Sequence, residues 1–483
     1  MKTYLFPIIF SVTFVLSCTK KEKPTKEMIM NAPRAEKIPT MLKKHDDLRI
    51  DNYFWLNDRE NPEVIDYLER ENDYNDKMTA HTLDFQKSLF EEMKSRIKED
   101  DESVPYFYNG YWYITRYEEG KQYPIYTRKK LSMEADEEIL FDCNEMAKGH
   151  SYFRLTGIEI SPDNKLAAFA VDTVSRRQYT LQIKNLETGT IYPETIENTT
   201  GNSSFANDNQ TLFYTQKNPK TLRSERIFKH KLGTPALEDT MIFHEKDDTF
   251  YTFVYKSKSR KYLIIGSTST LTSEYQILDA NTPDAAFSIF HPRERGLEYG
   301  ISHFGDYFYV VTNADQATNF KLMKTPIDQT SRANWEVVIP HREDVLLEGI
   351  DIFKDYLVVS ERSNGLNQIH IQRWDGSVNY YLPFDSQTYT AYTTTNIDFN
   401  TQTLRYAYNS MTTPSSVIDF DMETQEKTVL KEQQVLGGKF DKNNYVSERL
   451  WATAADGTQI PISLVHRKDV PKNPNNPLLL YGY

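Results

Sequence analysis

The feature that most constrains the fold of this chain is a short strand-forming unit that recurs at nearly constant spacing. Each unit begins with a polar turn, continues into an aromatic or β-branched strand, passes a polar loop and ends in a second strand. The turns lie near residues 110, 164, 209, 259, 305, 355 and 401. The successive spacings are therefore 54, 45, 50, 46, 50 and 46 residues. Units of this length, each a meander of about four strands, are typical of a β-propeller.

The strands that follow these turns share runs of aromatic and aliphatic side chains. They are residues 111–114, 166–169, 211–214, 262–265, 307–310, 356–359 and 404–407. One small sheet of this kind cannot cover both of its faces, so each must stack on its neighbours, and closure into a ring removes the exposed ends. We therefore predict a mainly β fold, with a seven-bladed β-propeller over residues 106–437.

A helical segment precedes the repeats. Asn61 and Pro62 have the residue types of an N-cap and a first-turn proline. Apolar residues recur at helical spacing on two stripes, which comprise Val64, Ile65, Leu68, Phe85, Leu89, Met93 and Ile97. This periodicity predicts two amphipathic helices at 62–77 and 81–98. Both belong to an N-terminal helical collar over residues 33–105.

The N-terminus resembles a bacterial lipoprotein signal. Residues 4–16 are largely apolar, but the run is shorter than the roughly 20 residues of a bilayer-spanning helix and has the length of a signal-peptide core. Cleavage before Cys18 would leave that cysteine as the lipid-bearing N-terminus; an ordinary signal peptide with a chance cysteine is the alternative. We expect a signal peptide at 1–17, a tether at 18–32, and a cell-envelope lipoprotein, in the periplasm or at the outer membrane, held to the membrane only through Cys18.

Composition excludes several classes of function. The chain has 57 Lys and Arg against 69 Asp and Glu, a net charge of −12, which disfavours nucleic-acid binding. Two cysteines cannot build a disulfide framework or a zinc site, and we expect Cys143 to be a buried apolar residue rather than a reactive thiol. No phosphate-binding loop or histidine metal spacing occurs, so no cofactor and no metal are expected.

Residues 438–483 depart from the repeat. Residues 448–454 and 459–466 flank an Asp456-Gly457 turn, a pattern that predicts a β-hairpin. The apolar run 478–480 predicts a central strand buried on both faces. Because a domain does not finish on an uncovered core strand, we expect the chain to be truncated within a further domain.

The order of these segments resembles the prolyl oligopeptidase family of serine peptidases, and finer stretches resemble its oligopeptidase B (protease II) branch. The resemblance covers roughly residues 33–483. Its specific stretches are residues 49–75, 175–189, 244–251 and 404–416, together with the terminal PLLLYGY at 477–483. It implies that 438–483 supplies the first strands of an α/β-hydrolase domain, that the collar packs on that domain, and that the propeller admits only short peptides. The oligopeptidase B branch cleaves after Arg and Lys.

The triad of a hydrolase of this fold is not found in the sequence. Such enzymes place their groups in the order Ser, Asp or Glu, His, with the serine in Gly-x-Ser-x-Gly, and that motif does not occur. The look-alike around Ser302 has the wrong spacing. By resemblance, the Tyr483 hydroxyl would donate to the oxyanion; from the residues alone, Tyr483 is a strand-end aromatic. The adjacent carboxylates at 46–47 and 247–248 are interpreted as solvated turns rather than a glycosidase pair.

Three functions remain open at this stage. The leading hypothesis is the N-terminal and propeller portion of an envelope serine oligopeptidase acting on short basic peptides, which an acidic surface would concentrate, with the fragment itself inactive. The alternative explanation of the acidic surface is that it keeps the protein soluble and has no role in substrate binding. The alternatives are a dipeptidyl-peptidase-like envelope peptidase, and a non-enzymatic propeller lipoprotein that binds a peptide or protein partner.

Overall fold

The computed structural model describes residues 31–482 of the chain. Two compact units are present, Met1–Ser95 and Arg96–Tyr483. Cys18 and Tyr483, the two residues to which the sequence assigns chemistry, lie outside the described residues. No helix in the described range has both the length and the apolar character needed to cross a bilayer.

The first unit contains a β-hairpin followed by two helices. Its elements are β1 (Thr40–Lys44), β2 (Asp47–Asp51), α1 (Pro62–Thr79) and α2 (Leu83–Lys94). The Asn61 side chain accepts a hydrogen bond from the backbone N–H of Glu63, and Pro62 follows it in the first turn of α1, which caps the helix as predicted. Both predicted helices are confirmed, although α2 is shorter than the prediction at each end.

The second unit is built from antiparallel sheets whose strands lie side by side in chain order. The first sheet consists of β3 (Tyr106–Tyr108), β4 (Tyr111–Arg116), β5 (Ile125–Lys130) and β6 (Glu137–Asp142), and the short helix α3 (Cys143–Met146) follows it. The next sheet has seven strands: β7 (Arg154–Ile160), β8 (Leu166–Asp172), β9 (Tyr179–Asn185), β10 (Ile196–Phe205), β11 (Thr211–Lys217), β12 (Ser224–Lys231) and β13 (Thr240–His244).

Four further four-stranded sheets follow. They consist of β14 (Tyr251–Lys256), β15 (Tyr262–Thr268), β16 (Ser273–Asp279) and β17 (Ser288–His291); β18 (Tyr299–Phe304), β19 (Tyr307–Thr312), β20 (Lys321–Pro326) and β21 (Glu336–Ile339); β22 (Val345–Ile352), β23 (Tyr356–Ser363), β24 (Leu366–Arg373) and β25 (Asn379–Tyr381); and β26 (Tyr389–Thr393), β27 (Thr403–Ser410), β28 (Ser416–Asp421) and β29 (Lys427–Glu432). Short 3₁₀ helices occupy Phe54–Asn57, Ala80–Thr82, Ala236–Glu238, Arg332–Asn334 and Lys442–Asn444.

The mainly β propeller is confirmed, but the prediction of seven blades is wrong: strands β3–β29 of the described residues form five four-stranded sheets and one sheet of seven strands. The seven-stranded sheet contains the two predicted units whose turns lie near 164 and 209. Its middle strand, β10, pairs with β9 through Ile196 and Thr199, and pairs with β11 through Ser203, Ser204 and Phe205. One long strand, β10, thus belongs to both units. The spacing of the turns does not indicate that two units share a strand.

The core of the second unit lies between successive sheets. Ile264 of one sheet and Phe308 of the next are both fully buried in a shared apolar cluster, and the Phe308 ring lies 5.0 Å from that of Tyr262, centroid to centroid. Burying such side chains contributes about 1.5–3 kcal/mol each. All seven predicted strands lie within β4, β8, β11, β15, β19, β23 and β27, because their apolar runs supply these faces.

Charged side chains connect the sheet β26–β29 to the segment that enters β3. The Arg405 guanidinium binds the Asp419 carboxylate at 2.7 and 2.9 Å and donates to the Pro105 carbonyl at 2.7 Å. The Lys431 ammonium lies 2.7 Å from an Asp101 carboxylate oxygen. Side-chain contacts, rather than a shared strand, therefore join β26–β29 to the segment that leads into β3–β6.

The C-terminal hairpin forms as predicted, but the strand after it does not. β30 (Tyr445–Thr453) and β31 (Gln459–Arg467) pair antiparallel across a turn at Gly457, whose φ is +87°. Leu478, Leu479 and Leu480 are not in a strand and are 75%, 91% and 82% exposed. A central strand needs hydrogen-bonded neighbours on its edges, and none of the described strands pairs with this run. The predicted start of an α/β-hydrolase sheet is thus not evident.

Two glycines face each other where β7 and β10 are irregular. Gly157 (φ +64°) lies in β7 where its pairing with β8 shifts, and Gly201 (φ +92°) lies in β10 at a similar shift. A Cβ on Gly157 would lie 1.8 Å from the carbonyl oxygen of Gly201. Only glycine fits this approach and this conformation.

We expect Gly157→Ala to lower the free energy of unfolding by about 2–3 kcal/mol, since it combines backbone strain with a backbone clash. The midpoint of thermal unfolding, followed by circular dichroism, measures the loss. Gly300→Ala is the matched control, because Gly300 lies in β18 without a positive φ and a Cβ there would meet nothing within 4 Å. Equal midpoints for the two variants would contradict the prediction.

Candidate functional site

A cavity of about 380 Å³ lies where strands of different sheets converge. Strands β3, β7, β10 and β14 contribute to its wall, and the loop after β26 adds Ile397. Its polar and charged lining includes Tyr108, Glu159, Ser203, Lys256, Lys258 and Arg260. We call this the small cavity. Because it draws charged side chains from separate sheets, it is the strongest candidate for a functional site in the described part of the chain.

A second cavity of about 640 Å³ adjoins the small cavity, and we call it the aromatic cavity. The two share Tyr108, Gly157, Ile158, Glu159 and Ile397 in their walls. The aromatic rings that give the second cavity its name belong to Tyr106, Tyr108, Tyr113, Tyr123, Tyr126 and Phe153. A third cavity, of about 620 Å³, lies around 388–390 and 433–437 and has Arg96 as its one charged lining residue.

Glu159 stands in the wall that the two cavities share. It follows the Gly157 irregularity, where the pairing of β7 with β8 shifts between Thr156 and Glu159. Burial raises the pKa of its carboxyl to about 7, against the opposing influence of the Lys256 and Arg260 charges. A carboxyl in this state exchanges protons near neutral pH, which is common at functional sites.

Lys256 and Arg260 supply the positive charge of the small cavity. Lys256 ends β14, and burial lowers the pKa of its ammonium to about 8 although the Glu159 charge acts in the opposite direction. Arg260 lies in the following turn with φ +61°, and its guanidinium carbon stands 4.9 Å from the ring centroid of Tyr108. Among the described residues, neither side chain makes an ion pair or a hydrogen bond.

Lys258, between these two cations, is already engaged. Its ammonium donates to the Ile352 carbonyl at 2.8 Å and lies 3.6 Å from the Asp351 carboxylate. It also stands 4.5 Å and 4.8 Å from the ring centroids of Phe353 and Phe399. Burial raises the pKa of the Asp351 carboxyl. Lys258 therefore holds neighbouring sheets together, which leaves Lys256 and Arg260 as the available cations.

Ser203 adds a hydroxyl to the same cavity. The residue is 7% exposed, and its Oγ has no hydrogen-bond partner in the described structure. A buried hydroxyl without a partner is costly. The small cavity presents the cations Lys256 and Arg260, which suit the binding of an anionic group. It contains no serine, histidine and carboxylate in line, the arrangement that acyl transfer requires.

The Gly300 to Gly305 look-alike is not a catalytic centre. Ser302 lies within β18, not on a strand-to-helix turn. Its neighbour His303 places Nδ1 2.7 Å from Oγ of Ser259, but its Nε2 has no partner. Burial lowers the pKa of His303 to about 4. No carboxylate hydrogen-bonds this ring among the described residues, so the pair lacks the orienting group of a triad.

The remaining sequence candidates have structural roles or lie outside the described residues. Asp46, with φ +62°, forms the turn between β1 and β2. Asp247 accepts hydrogen bonds from the backbone N–H and hydroxyl of Thr249, as expected of a turn. Cys143 is buried, as predicted, and burial raises the pKa of its thiol to about 12. No metal-binding cluster of His, Cys, Asp and Glu occurs in residues 31–482.

The cavity residues were missed by the sequence analysis, although two signals point to them. Lys256, Lys258 and Arg260 alternate with serines directly after a strand, an unusual density of cations in an acidic chain. Gly157 interrupts the strand that carries Glu159, and a glycine within a strand marks a bulge or a close backbone approach. Neither signal identifies the other strands that complete the cavity, because these come from distant parts of the chain.

We expect Glu159→Gln to change how stability depends on pH. The folded-state pKa of about 7 lies above the value of about 4.3 for an unfolded chain, so the wild type loses stability as pH rises between these values. The variant lacks this loss. Its unfolding free energy relative to wild type should therefore rise by about 2 kcal/mol between pH 5 and pH 7.5.

Denaturant unfolding at the two pH values provides the measurement. Glu119→Gln is the control and should show no such pH-dependent difference. Glu119 is an exposed glutamate in the turn after β4 that makes no side-chain hydrogen bond or ion pair with the other described residues. Parallel stability curves for Glu159→Gln and wild type would contradict the expectation.

Comparison with known proteins gives consistent similarities. Residues 32–433 match the family model described as "Prolyl oligopeptidase, N-terminal beta-propeller domain". The chain is 41% identical over 470 residues to "Dipeptidyl aminopeptidase BI" of Pseudoxanthomonas mexicana, covering 93% of this chain and 64% of that protein. It is 32% identical over 462 residues to "Protease 2" of Moraxella lacunata, covering 94% of this chain and 66% of that protein.

Solved structures show the same pattern. Oligopeptidase B from Leishmania major matches with a TM-score of 0.85 and 31% identity, over 91% of this chain and 66% of that one. Oligopeptidase B from Trypanosoma brucei, in a closed form with covalently bound antipain, matches with a TM-score of 0.83 and 30% identity, over the same shares of the two chains. The present chain thus spans 64–66% of the length of these relatives.

Proposed function

We propose a function from one premise: the chain belongs to the prolyl oligopeptidase family of serine peptidases, whose N-terminal propeller model matches residues 32–433. On this premise, the chain is the N-terminal and propeller portion of a serine oligopeptidase that hydrolyses short peptides. The match over most of the chain is the observation that carries the proposal. The propeller acts as a size filter, and the hydrolytic groups belong to a part of the enzyme outside the 483 residues.

The dimensions of the cavities support a filter for short peptides. Cavities of about 380 and 640 Å³ fall in the range that holds small ligands, and a folded domain does not fit in them. The stacked sheets around them are packed through buried apolar side chains, so their separation would expose those faces to water. These volumes suit peptides of a few residues, the class of substrate that we propose.

Cleavage after Arg and Lys is the finer part of the proposal. Two solved oligopeptidase B structures are 30–31% identical to this chain, and the net charge of −12 would raise the local concentration of cationic peptides. A second candidate is removal of dipeptides from the N-terminus, which the 41% identity to a dipeptidyl aminopeptidase favours. Localisation in the cell envelope with a lipid on Cys18 stays a prediction from the sequence alone.

The reading frame beyond Tyr483 separates these functions. A continuation with Gly-x-Ser-x-Gly, then Asp and His, supports a peptidase, and an immediate stop favours a binding protein. If the frame continues, its product should cleave an N-acetylated peptide after Arg or Lys. Strict dependence on a free N-terminus would instead favour the dipeptidyl aminopeptidase.

The 483-residue chain alone should not hydrolyse peptides, because no described group combines a nucleophile with an oriented base. A fluorogenic Arg-amide substrate and a fluorophosphonate probe for activated serines measure this directly. A trypsin sample at equal concentration is the positive control. Cleavage that an active-site serine inhibitor abolishes would overturn the prediction.

The chain should also self-associate through helix α2. Phe85, Leu89, Phe90 and Met93 are 68%, 39%, 58% and 53% exposed on this helix, which we propose packs on the hydrolase portion of the enzyme. Exposed apolar patches promote association. We expect Phe85→Ser with Phe90→Ser to shift the chain from oligomers to monomer in gel filtration. Asp84→Ser with Lys87→Ser is the matched control and should leave the oligomers unchanged; a monomeric wild type would contradict the idea.

A further inference from the structure

We propose that the small cavity binds the C-terminal carboxylate of a short peptide, with Lys256 and Arg260 as its cationic partners. This inference rests on the proposed function, which supplies the class of ligand, a short peptide. It adds the chemical group of the peptide that the cavity recognises. The site is defined by side chains from separate strands that meet in one cavity, so it does not depend on any single loop.

The uncommitted donors of the cavity are the first support. The Lys256 ammonium and the Arg260 guanidinium lie in the wall without an ion pair or hydrogen bond to any other described group. Taking a cation out of water without a partner is costly, and a carboxylate is the partner that guanidinium and ammonium groups bind best. Ser203, a polar residue, lies in the same wall.

The local charge is the second support. The chain carries a net charge of −12, yet the small cavity is lined by Lys256, Lys258 and Arg260 against one acidic residue, Glu159. The raised pKa of Glu159 leaves its carboxyl partly protonated near neutral pH, so it does not cancel both free cations. A positively charged ligand group would be repelled from this position, and an anionic group would be attracted.

The aromatic cavity completes the recognition. It shares the Glu159 wall with the small cavity and is lined by several tyrosine rings and Phe153. An aromatic side chain held there would bury apolar surface and stack on these rings. A peptide that ends in an aromatic residue can place its carboxylate near Lys256 and its last side chain in the aromatic cavity. The ligand that fits both cavities is therefore a short peptide with a free C-terminus and an aromatic last residue.

Isothermal titration calorimetry with the 483-residue chain tests the inference. N-acetyl-Ala-Ala-Phe with a free carboxylate should bind at least tenfold more tightly than its C-terminal amide. Lys256→Gln and Arg260→Gln should each reduce the ratio of the acid's affinity to the amide's affinity to less than threefold. Lys256→Arg, which keeps the charge, should retain most of the wild-type ratio. Lys246→Gln removes the same charge from an exposed position outside both cavities and should keep the full ratio. Unchanged thermal midpoints establish that each variant is folded.

Two further ligands identify the source of the anion. N-acetyl-Ala-Glu-Phe-amide, which carries its carboxylate on a side chain, should bind no more tightly than the plain amide. Inorganic phosphate at millimolar concentration should not displace the free-acid peptide. If either of these anions binds as tightly as the free acid, the assignment to a peptide C-terminus is overturned.

The outcomes also separate this site from the proposed function. Equal binding of the acid and the amide, or a Lys256→Gln variant that behaves like Lys246→Gln, would overturn the carboxylate site while peptide capture by the propeller remained. Failure of both peptides to bind would overturn the site and count against peptide capture as well. The proposed hydrolysis is decided independently by the reading frame and by the cleavage assay.

Discussion

Face-to-face packing of small twisted sheets is the constraint on which the second unit depends. Each sheet has two apolar faces, and neither is covered within the sheet. Side chains of neighbouring sheets therefore pack together, as Ile264 of one sheet and Phe308 of the next do. This requirement brings the strands at one edge of each sheet together and leaves the cavity space between them. The candidate site is thus a product of the packing: Glu159, Lys256 and Arg260 meet because the sheets that carry them stack.

Sequence patterns predict the local elements well, because the periodicity of a strand or a helix depends on residues that are close together in the sequence. The hairpin around Gly457 and the N-cap at Asn61 are examples in which a short motif dictates the geometry. The sharing of β10 between two units is not predictable in this way, because it depends on which strands pair with the two edges of β10, and those partners lie elsewhere in the chain. The cavity is equally hidden, since its residues range along the chain from Tyr108 to Ile397. The pKa shifts of Glu159 and Lys256 come mainly from burial, which only the folded structure creates.

The chain belongs to the family although its sheets are not all separate. The family model matches residues 32–433, and two of the expected units are joined into one sheet. Ser302 lies within β18, and the spacing that argues against it as a nucleophile is a local property of the sequence. The prediction of a strand at 478–480 was wrong, because a central strand is defined by neighbours that the run itself does not contain. Our proposals therefore place recognition and chemistry in different parts of the enzyme: the small cavity in residues 31–482 would bind a ligand, and bond cleavage would take place outside it.

The contrast between the long strand β10 and the Arg405 contacts has a mechanical consequence. Two units that share β10 can separate only if a backbone hydrogen-bond ladder breaks, whereas β26–β29 and β3–β6 are connected by contacts such as those of Arg405 and Lys431. None of the buried apolar clusters in the described residues spans that junction. Of these contacts, the Lys431–Asp101 ion pair is the one that salt screens. The junction at β26–β29 should therefore be more sensitive to salt than the sector that shares β10.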